Sequence, residues 1–216
     1  MRLGDAVRHA SGLLAPPVCC VCGSSCGLAD ALCARCWSRI CAGPPGRSLV
    51  AGIGTVGWAT PYDGTARRAL TALKFAGRIR LAPPLGEVIA VRCGELAGDR
   101  TVVPVPAARR RLRRRGFDPA ALLAAALATE LALALSPCLR RLDHRRQVGR
   151  TRRDRLGDPP RVALAGPVPG RALLVDDVLT TGATLAACAD ALGRAGCESI
   201  AAVTFARSLG ATTRPA

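Results

Sequence analysis

Alternating strand and helix signals from about residue 55 onward predict an α/β fold, a mostly parallel sheet with helices on both faces. An alanine- and leucine-rich composition supports it, since half of the 216 residues are apolar but only 3% are aromatic. Aliphatic side chains must therefore fill the layers. A cysteine cluster near the N-terminus adds a small metal-binding module. That length holds one full domain and a small appendage. The expected division is a Cys-rich module at 1–45, a linker and the start of the sheet at 46–58, and the α/β domain at 59–216.

Along the chain, residues 1–16 read as a short helical lead ending at Pro16-Pro17, and 17–42 hold the cysteines. The Gly/Pro-rich stretch AGPPGRSLVAGIG reads as a linker. Strands are expected at Thr55–Tyr62, Thr101–Val105, Cys138–Leu142, Val162–Leu164, Ala172–Val175 and Ser199–Phe205. Helices are expected at Thr65–Phe75, Leu81–Leu96, Phe117–Leu135 and Thr184–Ala195, with a mobile Arg-rich loop running up to Pro160.

The formal charge is +16, and Lys74 is the one lysine among 31 basic residues. A field of that sign favours anionic partners such as pyrophosphate or nucleic acid. The longest apolar stretch, Ala120 to Leu135, is broken by Thr129 and Glu130 and reads as a buried helix rather than a membrane span. The N-terminus lacks a continuous apolar core, so no secretory signal is expected and the chain is predicted to be cytoplasmic.

The sharpest local signal is RALLVDDVLTTGATLAACADALGRAG, Arg171 to Gly196. An apolar strand runs into Asp176 and Asp177, then Val178 and Leu179, then Thr180, Thr181, Gly182, Ala183 and Thr184, then a helix. Ligands of open α/β sheets collect where strand ends meet helix starts. Small residues let backbone N–H groups converge on a phosphate, and threonine hydroxyls add donors. Two adjacent acids ahead of such a cup suit ribose hydroxyls or a hydrated Mg2+. The order matches a ribose phosphate. No GxxxxGK[ST] or GxGxxG occurs, which argues against nucleotide hydrolysis and dinucleotide binding. Lys74 is either an exposed helix residue or a phosphate or pyrophosphate contact.

Eleven cysteines in a cytosolic chain argue for metal before disulfides. Cys19-x2-Cys22 and Cys33-x2-Cys36 form two knuckles that suit a tetrahedral four-sulfur Zn2+ site, closed and therefore structural. Cys20, Cys26 and Cys41 are possible substitutes for single ligands. Cys93, Cys138, Cys188 and Cys197 read as small core residues.

VDDVLTTGATL closely resembles the phosphoribosyl-pyrophosphate signature of type I phosphoribosyltransferases. With the cysteine-rich start, YDGTARRALTALKFAGR, VVPVPAARRRLRRRGF, the Gln147-x-Gly149 stretch and the ending Ala206-Arg207, nearly the whole chain resembles the ComF/GntX family. That resemblance implies a type I phosphoribosyltransferase-like domain behind a zinc-binding module, and an association with competence and DNA uptake. It implies phosphoribosyl pyrophosphate with Mg2+ as ligand, Asp176 and Asp177 on the ribose, and residues 178–184 around the 5-phosphate. Arg115 and Gly116 fall in a pyrophosphate loop, and Gln147, Gly149 and Arg155 in a mobile hood. Two positions depart from the family. Asp118-Pro119 stands where Asn-Gln is usual, and Asp158 where Asn is usual. Arginines are dense between 109 and 155, so single-stranded DNA is a second expected partner, bound electrostatically. A regulatory binder of phosphoribosyl pyrophosphate on the same fold is the third reading.

Overall fold

The computed structural model describes residues 17–27, 29–142 and 160–208. The expected helical lead at 1–16 and the hood segment, with Gln147, Gly149, Arg155 and Asp158, lie outside the described residues.

After the cysteine knuckles comes α1 (Ala34–Ala42), then a hairpin of β1 (Gly46–Val50) and β2 (Gly54–Pro61). Next are α2 (Gly64–Phe75), α3 (Ala82–Cys93), β3 (Thr101–Pro104), α4 (Arg109–Arg115) and α5 (Pro119–Glu130). A two-stranded antiparallel hairpin, β4 (Leu139–Leu142) with β5 (Arg161–Leu164), precedes β6 (Arg171–Leu179), α6 (Ala183–Gly193) and β7 (Ser199–Arg207). The main sheet has the order β1-β2-β7-β6-β3, parallel throughout except for the antiparallel edge strand β1.

Strand alternation builds two cores from one sheet. Leu173 and Val175 of β6 face α2, α3 and α5, while Ala172 and Leu174 face α6 and the β4–β5 hairpin. Leu173, Leu174 and Val175 are at most 1% exposed, so β6 reads as the continuous apolar run of a doubly covered parallel strand. At about 1.5–3 kcal/mol for each fully buried aliphatic side chain, such a strand anchors both layers. Cys93, Cys138, Cys188 and Cys197 are buried, as expected of small core residues.

Four local readings change. The stretch read as a linker contains β1, because Gly46–Val50 pairs residue for residue with Gly54–Trp58. The arginine run Arg109–Arg115 is a helix rather than a loop. The long Ala/Leu helix ends at Glu130, not Leu135. Ala132 takes φ 51, and the Leu133 N–H donates to the Ala128 carbonyl at 2.9 Å, closing the helix end with a left-handed residue. Leu133–Leu135 then run beside β3, where the Val102 N–H donates to the Ala134 carbonyl at 2.8 Å. Finally, β6 continues past Val175 to Leu179, held by pairing with β7 as far as Leu179↔Arg207.

The cysteine segment is not a separate bead. Cys19, Leu32, Cys36 and Ile40 join the core shared by α2 and α3. The Arg92 guanidinium of α3 donates to the carbonyls of Cys41 and Gly43, the latter at 2.7 Å, and so holds the end of α1. The Thr60 hydroxyl of β2 donates to the Ile40 carbonyl at 3.3 Å.

Candidate functional site

At the carboxyl end of β6 the chain leaves the sheet at Thr180 and re-enters helix at Ala183. Gly182 makes that turn with φ 76, a left-handed conformation that suits glycine. A Cβ there would also come within 3.2 Å of Val50 Cγ1, from the end of β1. The Thr181 hydroxyl accepts from the Ala183 N–H at 3.4 Å and braces the turn.

A cleft of about 350 Å3 opens here between β6 and the segment following β3. Asp176, Asp177, Val178, Leu179, Thr180, Gly182, Ala183 and Thr184 line it, as do Lys74 and Arg115. Thr181 and Gly116 do not. Leu179 borders the cleft, but its side chain is 3% exposed and packs in the α6 core, opposite to the side that strict alternation from Leu173 and Val175 would give it, because the pairing of β6 with β7 skips Asp177. Gly116 instead ends α4 with φ 79.

The two acids differ because they occupy successive strand positions. Alternation puts Asp177 on the α2 side and Asp176 on the α6 side. Lys74 Nζ of α2 donates to Asp177 Oδ1 at 2.7 Å, with both side chains less than one fifth exposed. Of the two readings of Lys74, the structure therefore excludes the exposed one. Asp176 Oδ1 accepts from the Asp177 N–H at 2.8 Å. Burial, and then the neighbouring Asp177 carboxylate, push the Asp176 carboxyl up to about 8, with that N–H and the Lys74 ammonium opposing.

Three charged lining residues were not singled out as site residues from the sequence: Arg111, Asp118 and Arg141. Arg111 and Arg115 reach the cleft because the arginine run is helical and puts them one turn apart on one face. The Arg115 guanidinium lies 4.7 Å from the Phe75 ring centroid. Burial, then the charge of Arg111, hold its pKa below the usual arginine value. Arg141 comes from β4, on the α6 side of the sheet. Asp118 had registered only as a departure from a family pattern.

The four predicted zinc ligands converge. The sulfurs of Cys19, Cys22, Cys33 and Cys36 all lie within 4.8 Å of one another, and Cys22 and Cys33 are 3.6 Å apart. A tetrahedron with Zn–S bonds of about 2.3 Å has S···S edges of about 3.8 Å, so this set fits the ion's size and donor preference. Cys20, Cys26 and Cys41 fall outside the group. Hydrogen bonding with Ser24 pulls the Cys22 thiol down to about 6, while burial pushes the Cys36 thiol up.

Residues 114–215 match the family model of the phosphoribosyl transferase domain. The fold is phosphoribosyltransferase-like. This domain match spans Arg115, both acids and the whole Thr180–Thr184 turn, and begins after Lys74 and the four-cysteine cluster. Comparison with curated proteins gives no match. Among solved structures, the orotate phosphoribosyltransferase from Aeropyrum pernix is similar at 21% identity over 80% of each chain, with a TM-score of 0.36, a likeness too loose to carry an argument. Among the described residues, no helix of the phosphoribosyltransferase-like chain is long and apolar enough to cross a membrane.

Two results are expected of this cleft. Asp176 has a folded pKa near 8 against an ordinary 3.8. Between those values the folded chain keeps a proton that the unfolded chain has released. Stability therefore falls as pH rises from about 4 to about 8 and levels off above. Asp118, also raised by burial, acts in the same sense. Melting curves across that window should show the decline in the parent and a shallower one in Asp176→Asn; parallel slopes would refute the assignment. Second, Gly182→Val forces a β-branched residue to φ 76 and into Val50. The backbone strain alone costs roughly 1–2 kcal/mol, which calorimetric melting would register as a Tm fall of several degrees.

Proposed function

We propose that this chain binds phosphoribosyl pyrophosphate with Mg2+ at the carboxyl end of β6 and transfers its phosphoribosyl group to an acceptor. The observation carrying this reading is that Asp176 and Asp177 share one cleft with Thr180, Gly182, Ala183 and Thr184 of the following turn, and that Lys74 and Arg115 line the same cleft. The 5-phosphate sits against the backbone and hydroxyls of residues 180–184. The ribose hydroxyls donate to the two aspartates. The pyrophosphate leaves with the electron pair of the anomeric C–O bond towards Lys74 and Arg115. The acceptor's lone pair forms the new bond, and the acceptor's proton passes to the departing pyrophosphate. Fixed charges around the carbon that becomes positive supply the acceleration.

The carboxylates fit a hard cation, and Mg2+ arriving with the substrate offsets the charge on the leaving pyrophosphate. The Cys19–Cys22–Cys33–Cys36 group holds a structural Zn2+ within an N-terminal module ending near residue 45, and the transferase unit starts with β1 at Gly46. A four-thiolate metal site needs its cysteines reduced, which supports a reducing, cytoplasmic setting. Calorimetry with phosphoribosyl pyrophosphate and Mg2+ tests the site: saturable heat is expected, and none from the intact protein would remove the reading.

One observation favours a second reading, a ComF/GntX-type competence factor that handles single-stranded DNA during uptake. Arg109, Arg110, Arg111, Arg113 and Arg114 are all exposed on the single helix α4. Binding of an oligonucleotide measured across salt would then weaken steeply, with a slope that falls when these arginines are neutralised. A flat response would exclude it.

A further inference from the structure

The turn between β3 and α4, Val105–Ala108, forms one wall of the cleft. Its backbone is fixed at three points. The Val105 N–H donates to the Val175 carbonyl of β6 at 2.9 Å, and the Ala108 carbonyl accepts from Arg111 and Leu112 at 2.8 and 3.0 Å, starting α4. Pro106 has no N–H to give. The middle of the turn is held from elsewhere: the Ala107 N–H donates to Asp118 Oδ2 at 2.8 Å.

Asp118 uses its other oxygen as the N-cap of α5, where Oδ1 accepts from the Ala120 N–H at 3.0 Å. One half-buried carboxylate thus joins the turn that launches α4 to the helix that packs on the sheet. The pose of α4, and with it where Arg111 and Arg115 enter the cleft, depends on that bridge. An asparagine could not make it. Its single oxygen can cap α5, but its amide nitrogen would then face the Ala107 N–H, donor against donor.

We propose that Asp118 is a positioning residue for the pyrophosphate half of the site: by tethering the turn Val105–Ala108 to α5 it sets Arg111 and Arg115 for the leaving group. This rests on the phosphoribosyl pyrophosphate reading above and adds to it the reason that aspartate, rather than asparagine, occupies this position.

The test is Asp118→Asn, which keeps a cap of equal quality while breaking the tether. Calorimetry is run with two separate probes, inorganic pyrophosphate with Mg2+ and ribose 5-phosphate. Losing one hydrogen bond to a charged group corresponds to about a tenfold change in an equilibrium constant. Pyrophosphate affinity should therefore fall about tenfold, with ribose 5-phosphate affinity nearly unchanged and Tm lower by roughly 3–6 °C, since the tether is also a bond of the unliganded fold.

Charge alone predicts the reverse sign, because removing a carboxylate from an anion site strengthens anion binding. Unchanged or tighter pyrophosphate binding would therefore overturn the proposal, as would equal weakening of both probes, the mark of general loosening. So would an intact protein that takes no pyrophosphate. An intact protein that binds pyrophosphate but not ribose 5-phosphate would instead sink the reading of the Thr180–Thr184 turn. The variant Asp118→Ser also keeps a cap and lacks the second acceptor, and must behave as the asparagine does.

Discussion

Exchanging Asp176 and Asp177 together for alanine should weaken binding of phosphoribosyl pyrophosphate with Mg2+ by more than a hundredfold. Each acid is assigned hydrogen bonds from ribose hydroxyls. Above pH 8, where Asp176 as well as Asp177 is ionised, hydrogen bonds involving a charged partner are worth about 1.5–3 kcal/mol apiece, so two together exceed the roughly 2.8 kcal/mol that a hundredfold requires. The single variants should differ in stability. Removing Asp177 strands the Lys74 ammonium, which is only 14% exposed. Breaking a fully buried pair in this way costs about 3–5 kcal/mol, and partial exposure reduces that. Asp177→Ala should thus lower Tm, and adding Lys74→Met should restore Tm without restoring binding. Asp176→Asn removes a carboxyl that burial already disfavours in its charged form, so its Tm should hold or rise at pH 8. Full binding by the double alanine variant would end the assignment of these acids.

Serine at both Cys22 and Cys36 should abolish zinc binding, taking metal content from one ion per chain to none. Two of the four sulfurs would be lost, and a hydroxyl is a poor substitute for a thiolate on zinc. The structural cost follows from where the module packs. Cys36 and Ile40 are at most 1% exposed in the core shared with α2 and α3. Releasing even one such aliphatic residue costs about 2–5 kcal/mol, a Tm fall of roughly 4–20 °C for a chain of this size. Metal analysis paired with melting checks both, and unchanged stoichiometry would reject this ligand set. Because α1 packs beside α2, which carries Lys74, the loss should also lower affinity at the cleft. The Arg92 clamp on Cys41 and Gly43 limits how far that effect travels.

Much of this was legible in the chain itself. The alternation of apolar runs and Ala/Leu helices predicted the layered parallel sheet, since period and composition are local properties. Two CxxC knuckles predicted a four-sulfur cluster because tight turns bring paired thiols together at any fold position. Less legible was anything depending on a partner in space. The end of β6 was misread at Val175 because adjacent acids look like a loop, and only pairing with β7 carries them as strand. The stretch holding β1 looked like a linker, since its glycines and prolines hide an edge strand fixed by its neighbour. Asp118 looked like a mismatch, and its two backbone partners lie eleven residues before and two residues after it.

The sequence by itself determined the fold class, the small-residue turn that follows the two acids and a cysteine cluster spaced to meet around a metal. Each is written in residues that are neighbours or repeat at a fixed spacing, so local geometry suffices. Only the tertiary structure decided which charges face which. Lys74 meets Asp177 across 103 positions, Asp176 and Asp177 part to opposite faces of the sheet, and Arg115 stacks on Phe75. Electrostatic pairing and burial depend on distance through the folded chain, which the order of residues along it does not specify.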